Sequence, residues 1–301
     1  VAHFLISSLV NKNISLYLSQ NRASGAVLFI VDNCYNTSMI LLPIFIFILG
    51  LIIGSFLNVV ILRMNTGRSV AKGRSKCARC STPLSWYELI PVFSFLGLRG
   101  KCKTCNNHIS FQYPLVELVT AIVFTIIYTT TIAGYGITLT AGLVFLFSVT
   151  VAAILIVIFV YDIRHTIIPD IAVYLFIVLA LIAIVWQIFT VPGFSPFSAI
   201  FGGVLVALPF FLLWALSKGT FMGFGDVKLA LGMGWLLGIT GGFSAVLFSF
   251  WIGGAVGLLL LGISRKYSMR SQIPFAPFLI LGTFIVGVWG VTIFSLLHIW
   301  Q

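Results

Sequence analysis

Acids and paired cysteines are the residues in this chain that are scarce enough, and spaced suggestively enough, to do chemistry. The 301 residues hold six acids: Asp32, Glu88, Glu117, Asp162, Asp170 and Asp226. Asp162 closes an apolar run in FVYDIRHTIIPD, and Asp226 stands in GFGDVKLA at the mouth of another. Two carboxylates about 3 Å apart in a low-dielectric site cannot both ionise, so the pair shares a proton. The charged member then takes a proton from water while the neutral one polarises a carbonyl. That is acid-base peptide hydrolysis, with apparent pKa values belonging to the pair. Gly223 and Gly225 let a backbone come close at that point. Simpler roles compete. Asp170 follows Pro169 at a helix start, where an acid meets free N–H groups and the positive end of the dipole. Asp226 can cap a helix or pair with Lys228, and Asp162 can pair with Arg164. Acids inside spans also serve proton or cation pathways. Glu117, in FQYPLVELVT, lies a few residues inside an apolar run and is costly there unless it faces protein.

The cysteines carry a second chemistry. CARC at Cys77–Cys80 and CKTC at Cys102–Cys105 are separated by 21 residues. Two such knuckles predict a four-thiolate tetrahedral site for Zn2+, and neighbouring Lys and Arg favour the thiolate form. With all four positions filled by sulfur, the ion would be structural, supplying folding energy to a loop of about fifty residues that is too short for a core of its own. LSWYELIPVFSFLGLRG lies between the knuckles and suits either a small core or a face lying on the membrane. A structural role, in one of those two settings, is the expectation for Trp86, Tyr87 and Phe93. Cys34 stands alone, and His108 and His165 read as surface residues.

These groups must be positioned by membrane helices. Sixty per cent of the residues are hydrophobic and 8% charged, with a mean hydropathy of +1.16. Soluble domains carry roughly 25% charged residues. Apolar runs long enough to cross a bilayer recur to the C-terminus, so they are not a signal peptide. The fold class is therefore an all-α polytopic membrane protein of about eight transmembrane helices with a small cytoplasmic zinc-knuckle loop. The spans are expected near 40–62, 115–133, 139–160, 171–190, 197–216, 228–241, 243–263 and 276–298. The chain divides into residues 1–38, an N-terminal extension of unknown role or an interfacial attachment; 39–62, the first span; 63–114, the cysteine loop; and 115–301, the core that carries the acids.

Nine of the seventeen Lys and Arg lie between Arg63 and Lys103. Short basic loops stay cytoplasmic, which puts 63–114, 161–170, 217–227 and 264–275 inside, with Arg164, Lys218, Arg265, Lys266 and Arg270. Asp162 and Asp226 then share one depth, at the cytoplasmic rim. The net charge of +11 fits topology and attraction to anionic head groups. No aromatic-basic groove module argues for nucleic acid.

Taken in order, GSFLNVVILR (54–63), the paired knuckles around LSWYELIPV, LRGKC (98–102), YPLVEL (113–118), DIRHTIIPD (162–170) and GFGDVKLA (223–230) resemble the bacterial type IV prepilin peptidases. The match runs from about Met39 to the C-terminus. The resemblance implies an inner-membrane Gly-x-Gly-Asp aspartyl protease with Asp162 and Asp226 as its catalytic pair; the choice of Asp162 over Asp170 comes from the family. It implies type IV prepilins or type II secretion pseudopilins as substrates, cut after a short basic leader at the cytoplasmic face. Many members then methylate the new N-terminus with S-adenosylmethionine, and Gly100, Lys101 and Glu117 match regions linked to that activity. Gln112, Arg63-Met64-Asn65, Lys76 and Ala78 depart from the usual pattern without touching acids or thiols. Two alternatives stand beside this reading: a peptidase without methyltransferase activity, and a proton- or ion-coupled transporter. No inverted repeat supports the transporter.

Overall fold

A computed structural model describes residues 25–67, 69–70, 72–191, 194–263, 273–293 and 295. Residues 1–24 of the expected extension, and Arg265, Lys266 and Arg270, lie outside the described residues. A bilayer core offers the backbone no hydrogen-bond partners, so a chain this apolar satisfies its peptide groups within helices. Among the described residues eight α-helices result: α1 (Gly25–Arg63), α2 (Phe93–Gly97), α3 (Gln112–Tyr135), α4 (Leu139–His165), α5 (Asp170–Thr190), α6 (Pro196–Ser217), α7 (Phe224–Ile263) and α8 (Ala276–Trp289). A 3-10 turn covers Trp86–Leu89, and among the described residues there is no strand, only two isolated bridges in the cysteine loop.

Six of the helices (α1 from Leu41, α3, α4, α5, α6 and α7) are long and apolar enough to cross a membrane, and α8 is a shorter apolar helix. The first described helix already covers residues 25–38 of the expected extension.

The sixth and seventh expected spans are both in α7, which is broken at Gly238 (φ 72°, ψ −178°). A continuous helix would hold residues 234 and 242 about 12 Å apart. Instead, a Cβ added to Gly242 would lie 3.2 Å from the Gly234 Cα. The chain therefore doubles back, and α7 is a hairpin of two limbs. The turn falls at Gly238 rather than near 242, because Gly238 takes the positive φ that only glycine adopts without strain. Gly242 is helical and serves close approach: a Cβ there would sit 2.7 Å from Val206 of α6.

Two packed groups share α4. On one side α1 lies along α3, so closely that a Cβ on Gly50 would meet Ala121 Cα at 2.5 Å and one on Gly54 would meet Glu117 Cα at 2.7 Å. Leu57, Ile61, Val116, Ile156, Val157 and Tyr161 join this pair to α4. On the other side Leu155, Ile158, Val173, Phe176, Phe210, Leu229, Met233 and Leu279 knit α4 to α5, α6, α7 and α8. Many outward-facing Leu, Ile and Phe side chains are exposed, as a lipid-facing surface requires.

Candidate catalytic rim and four-thiol loop

The rim is built by the ends of α4 and α7. Thr138 starts α4, its hydroxyl accepting the Ala141 N–H at 3.1 Å. Thr166 stops it in the left-handed conformation (φ 53°), returning its amide to the Asp162 carbonyl at 2.7 Å. Pro169 then starts α5. Asp162 thus sits in the last turn of α4, buried at 4% exposure, and Asp226 in the first turn of α7, half-buried. The two acids are thus carried by the end of α4 and the start of α7.

Gly225 fits the two ends together. A Cβ at that position would lie 2.9 Å from the Ile168 Cβ, in the turn that follows Asp162. Gly223 has no such demand, its nearest neighbour being Asp226 Oδ2 at 3.9 Å.

Asp170 is occupied elsewhere. Its carboxylate pairs with Lys228 Nζ at 2.5 Å, and that ammonium also stands 4.9 Å from the Tyr174 ring centre and 5.4 Å from that of Phe224. Asp170 stands in the first turn of α5, after Pro169 at the N-cap. The partner of Lys228 is Asp170 and not Asp226. Among the described residues Arg164 makes no ion pair with Asp162.

In the cysteine loop the four sulfurs all lie within 4.8 Å of one another. Each knuckle closes alike. The amides of Cys77 and Cys102 donate to Thr82 O and Asn107 O at 3.0 and 2.9 Å, and those of Ser81 and Asn106 return to Cys77 O and Cys102 O. Ser81 and Asn106 both take positive φ, 58° and 54°, which turns the chain just past the second cysteine of each pair.

The donor set fits zinc. A tetrahedron with Zn–S of about 2.3 Å has edges of about 3.8 Å, and Cys77 Sγ stands 3.8 Å from Cys105 Sγ. Thr82, hydrogen-bonded to Cys80 through hydroxyl and amide, holds that thiol down at about 6. The amides of Cys105 and Thr104 lower Cys102. Cys105 moves the other way, up to about 11: the Asn107 amide pulls it down, but burial and the neighbouring thiols outweigh it.

Glu117, buried at 6% exposure, reaches the loop. Its Oε2 accepts the Val92 N–H at 2.8 Å, and Val92 is itself held at φ 61°. Val92 opens α2, whose Phe95 ring lies against Gly100, 3.1 Å from where a Cβ would stand. Gly100 has φ 67°, and Lys101 bridges to His108 at the base of the second knuckle. Glu117 and Gly100 therefore hold opposite ends of one short segment.

Of the two settings expected for Trp86, Tyr87 and Phe93, the small core is not formed. They are 78%, 41% and 68% exposed, because a loop this small has no interior to receive them. Sequence reasoning also missed Asn58, fully buried, whose Nδ2 donates to Gly54 O and Tyr113 O at 3.3 and 3.1 Å. It missed Arg63, whose guanidinium gathers the carbonyls of Ser69, Lys72 and Arg74 after the first span. The small-x-x-x-small spacing of Gly50 and Gly54 is the signal that marks α1 as a close-packing helix.

Fold and site together define a class: a helical membrane protein with two acids on adjoining helix ends and a four-thiol loop between its first two described spans. Residues 48–131 match the bacterial peptidase A24 N-terminal domain, and residues 149–258 match the type IV leader peptidase family. A prepilin leader peptidase/N-methyltransferase of Bacillus subtilis (strain 168) is 33% identical over 255 residues, covering 83% of this chain and 95% of the relative. A protein of the same name from Myxococcus xanthus is 34% identical over 237 residues, 77% of this chain and 67% of the relative. Another from Pseudomonas aeruginosa is 30% identical over 275 residues, 81% and 89% of the two chains. No solved structure matches the chain at a comparable level. The chain belongs to the type IV leader peptidase family, and that membership does not favour the transporter.

Proposed function

We propose that this chain removes the short basic leader of type IV prepilins or type II pseudopilins at the cytoplasmic face of the inner membrane, and then methylates the new N-terminus. The observation that supports the peptidase reading is the close approach of the start of α7 to the turn after α4, at Gly225 and Ile168, since those two ends carry Asp226 and Asp162. The substrate's apolar helix enters sideways from the lipid, and its basic leader stays in water, so the scissile bond reaches the rim.

Asp162 and Asp226 then act as a pair. One carboxylate accepts a proton as water oxygen attacks the carbonyl carbon, and the protonated partner donates to the carbonyl oxygen. When the tetrahedral species collapses, the C–N bond breaks, the leaving amine takes up a proton, and the pair again shares one proton.

Cys77, Cys80, Cys102 and Cys105 hold a structural zinc. S-adenosylmethionine supplies the methyl group for the amine that cleavage exposes. Gly100 and Lys101 of the loop, and Glu117 of α3, which is bonded to the loop at Val92, are the residues we connect with that step.

Cleavage of a co-expressed prepilin tests the assignment. Asp162→Asn and Asp226→Asn should each abolish leader removal while the chain still accumulates folded in the membrane. Processing by both single variants would overturn it. N-terminal mass of the mature product reads the methyl group separately.

A further inference from the structure

The segment between the knuckles exposes much apolar surface for a cytoplasmic loop. Trp86, Phe93 and Leu96 are 78%, 68% and 65% exposed, and Leu89 and Ile90 add to them. Phe93 and Leu96 stand three residues apart on α2, so they share a side of that helix.

The bond from Val92 to Glu117 sets the depth of this surface. α3 has 24 residues, about 36 Å of helix against about 30 Å of hydrocarbon. Glu117 lies five residues past the start of α3, about 7.5 Å along its axis. That is at or just inside the boundary between head groups and acyl chains. Val92 N is held 2.8 Å from its carboxylate, so Phe93 begins at the same level. Leu115 and Leu118 of α3, half or more than a third exposed, face outward at that depth too.

Charge completes the pattern. Arg99, Lys101 and Lys103 follow α2 in sequence. The one acid in the segment, Glu88, is engaged by the Ser85 amide at 2.8 Å. Lys103 donates to the Tyr87 hydroxyl at 2.9 Å, leaving an aromatic-basic surface of the kind that settles at a membrane interface.

We propose that Trp86–Leu96 is an interfacial wedge: Phe93 and Leu96 lie among the upper acyl chains of an anionic leaflet, and the basic residues beyond them lie among its head groups. A soluble partner does not fit, because the backbone tie to Glu117 holds the segment at lipid depth. This inference rests on the spans and is independent of the peptidase chemistry.

The full-length protein, reconstituted in vesicles of phosphatidylethanolamine and phosphatidylglycerol, tests it. The photoreactive residue p-benzoylphenylalanine replaces Phe93, Leu96 or, as an aqueous control in the first knuckle, Ala78, one at a time. Irradiation should give phospholipid adducts at 93 and 96 and none at 78, read by mass spectrometry. No lipid adduct at 93 and 96, or equal yield at all three, overturns the wedge. Adducts to an added prepilin in place of lipid would assign the surface to substrate and overturn it as well. Omitting phosphatidylglycerol should lower the yield, and an unchanged yield overturns the choice of an anionic leaflet. A second measurement needs no photoreactive residue: brominated phospholipid should quench the emission that the wild-type chain has and Trp86→Phe lacks, and absence of that quenching counts against the wedge.

Discussion

Lys228 Nζ stands 2.5 Å from Asp170 Oδ1 and fastens the start of α7 to the start of α5. Asp226 lies two residues before the lysine, and Asp162 lies one short turn before the aspartate. The pair thus ties the helix that carries Asp226 to the helix that follows Asp162. Asp170 is 65% exposed, and exposed pairs contribute about 1 kcal/mol or less. Lys228→Ala and Asp170→Asn should therefore lower leader cleavage roughly two- to fivefold without unfolding the chain. The reversed pair, Lys228→Asp with Asp170→Lys, should recover part of the loss in a prepilin-processing assay.

The two glycines of GFGD should separate sharply. Gly225→Ala places a Cβ 2.9 Å from the Ile168 Cβ, and neither atom can rotate away. Overpacking of this kind costs about 1–3 kcal/mol, and here it pushes the two rim acids apart. Cleavage should fall at least tenfold, a change of roughly 1.4 kcal/mol. Gly223→Ala meets nothing closer than 3.9 Å and should retain most activity. Equal losses for both would contradict this account of Gly225.

How much of this was legible in the sequence follows from what each residue depends on. The knuckles declared themselves because Cys77–Cys80 and Cys102–Cys105 are local motifs whose geometry follows from spacing. Hydropathy placed Asp162 and Asp226 at the ends of apolar helices, where the structure has them. The partner of Lys228 was hidden because Asp170 lies 58 residues away and only packing decides between it and Asp226. The tie between Glu117 and Val92 was hidden for the same reason. The turn in α7 was misplaced because Thr240-Gly241-Gly242 looks like a loop, whereas the hairpin needs one positive φ, and Gly238 provides it.

Removing Glu117 should loosen the loop. Glu117→Ala leaves the Val92 N–H without its acceptor, at a cost of about 1–3 kcal/mol for a buried group. Limited proteolysis between Trp86 and Leu98 should speed up, and methylation should fall more than cleavage. Glu117→Gln keeps an acceptor oxygen and should restore much of the protection.

Metal content provides another check. Cys77→Ser or Cys102→Ser should reduce bound zinc from one per chain to none, and a strong chelator should do the same to the wild type. Structural zinc sites contribute folding energy directly, so either treatment should expose the loop to protease while the helical far-UV signal stays. Elemental analysis and digestion patterns read the two effects.

The break at Gly238 leaves the first limb of α7 very short. From Phe224 it runs about 14 residues, roughly 21 Å of helix, against about 30 Å of hydrocarbon. A limb of that length does not reach both faces of a bilayer of ordinary thickness, so the lipid around it thins or the limb's ends sink beneath the head groups. Asp226 stands in its first turn. On either course the proposed hydrolysis falls below the plane of ordinary head groups, and the pilin helix need not be drawn out of the lipid to be cut.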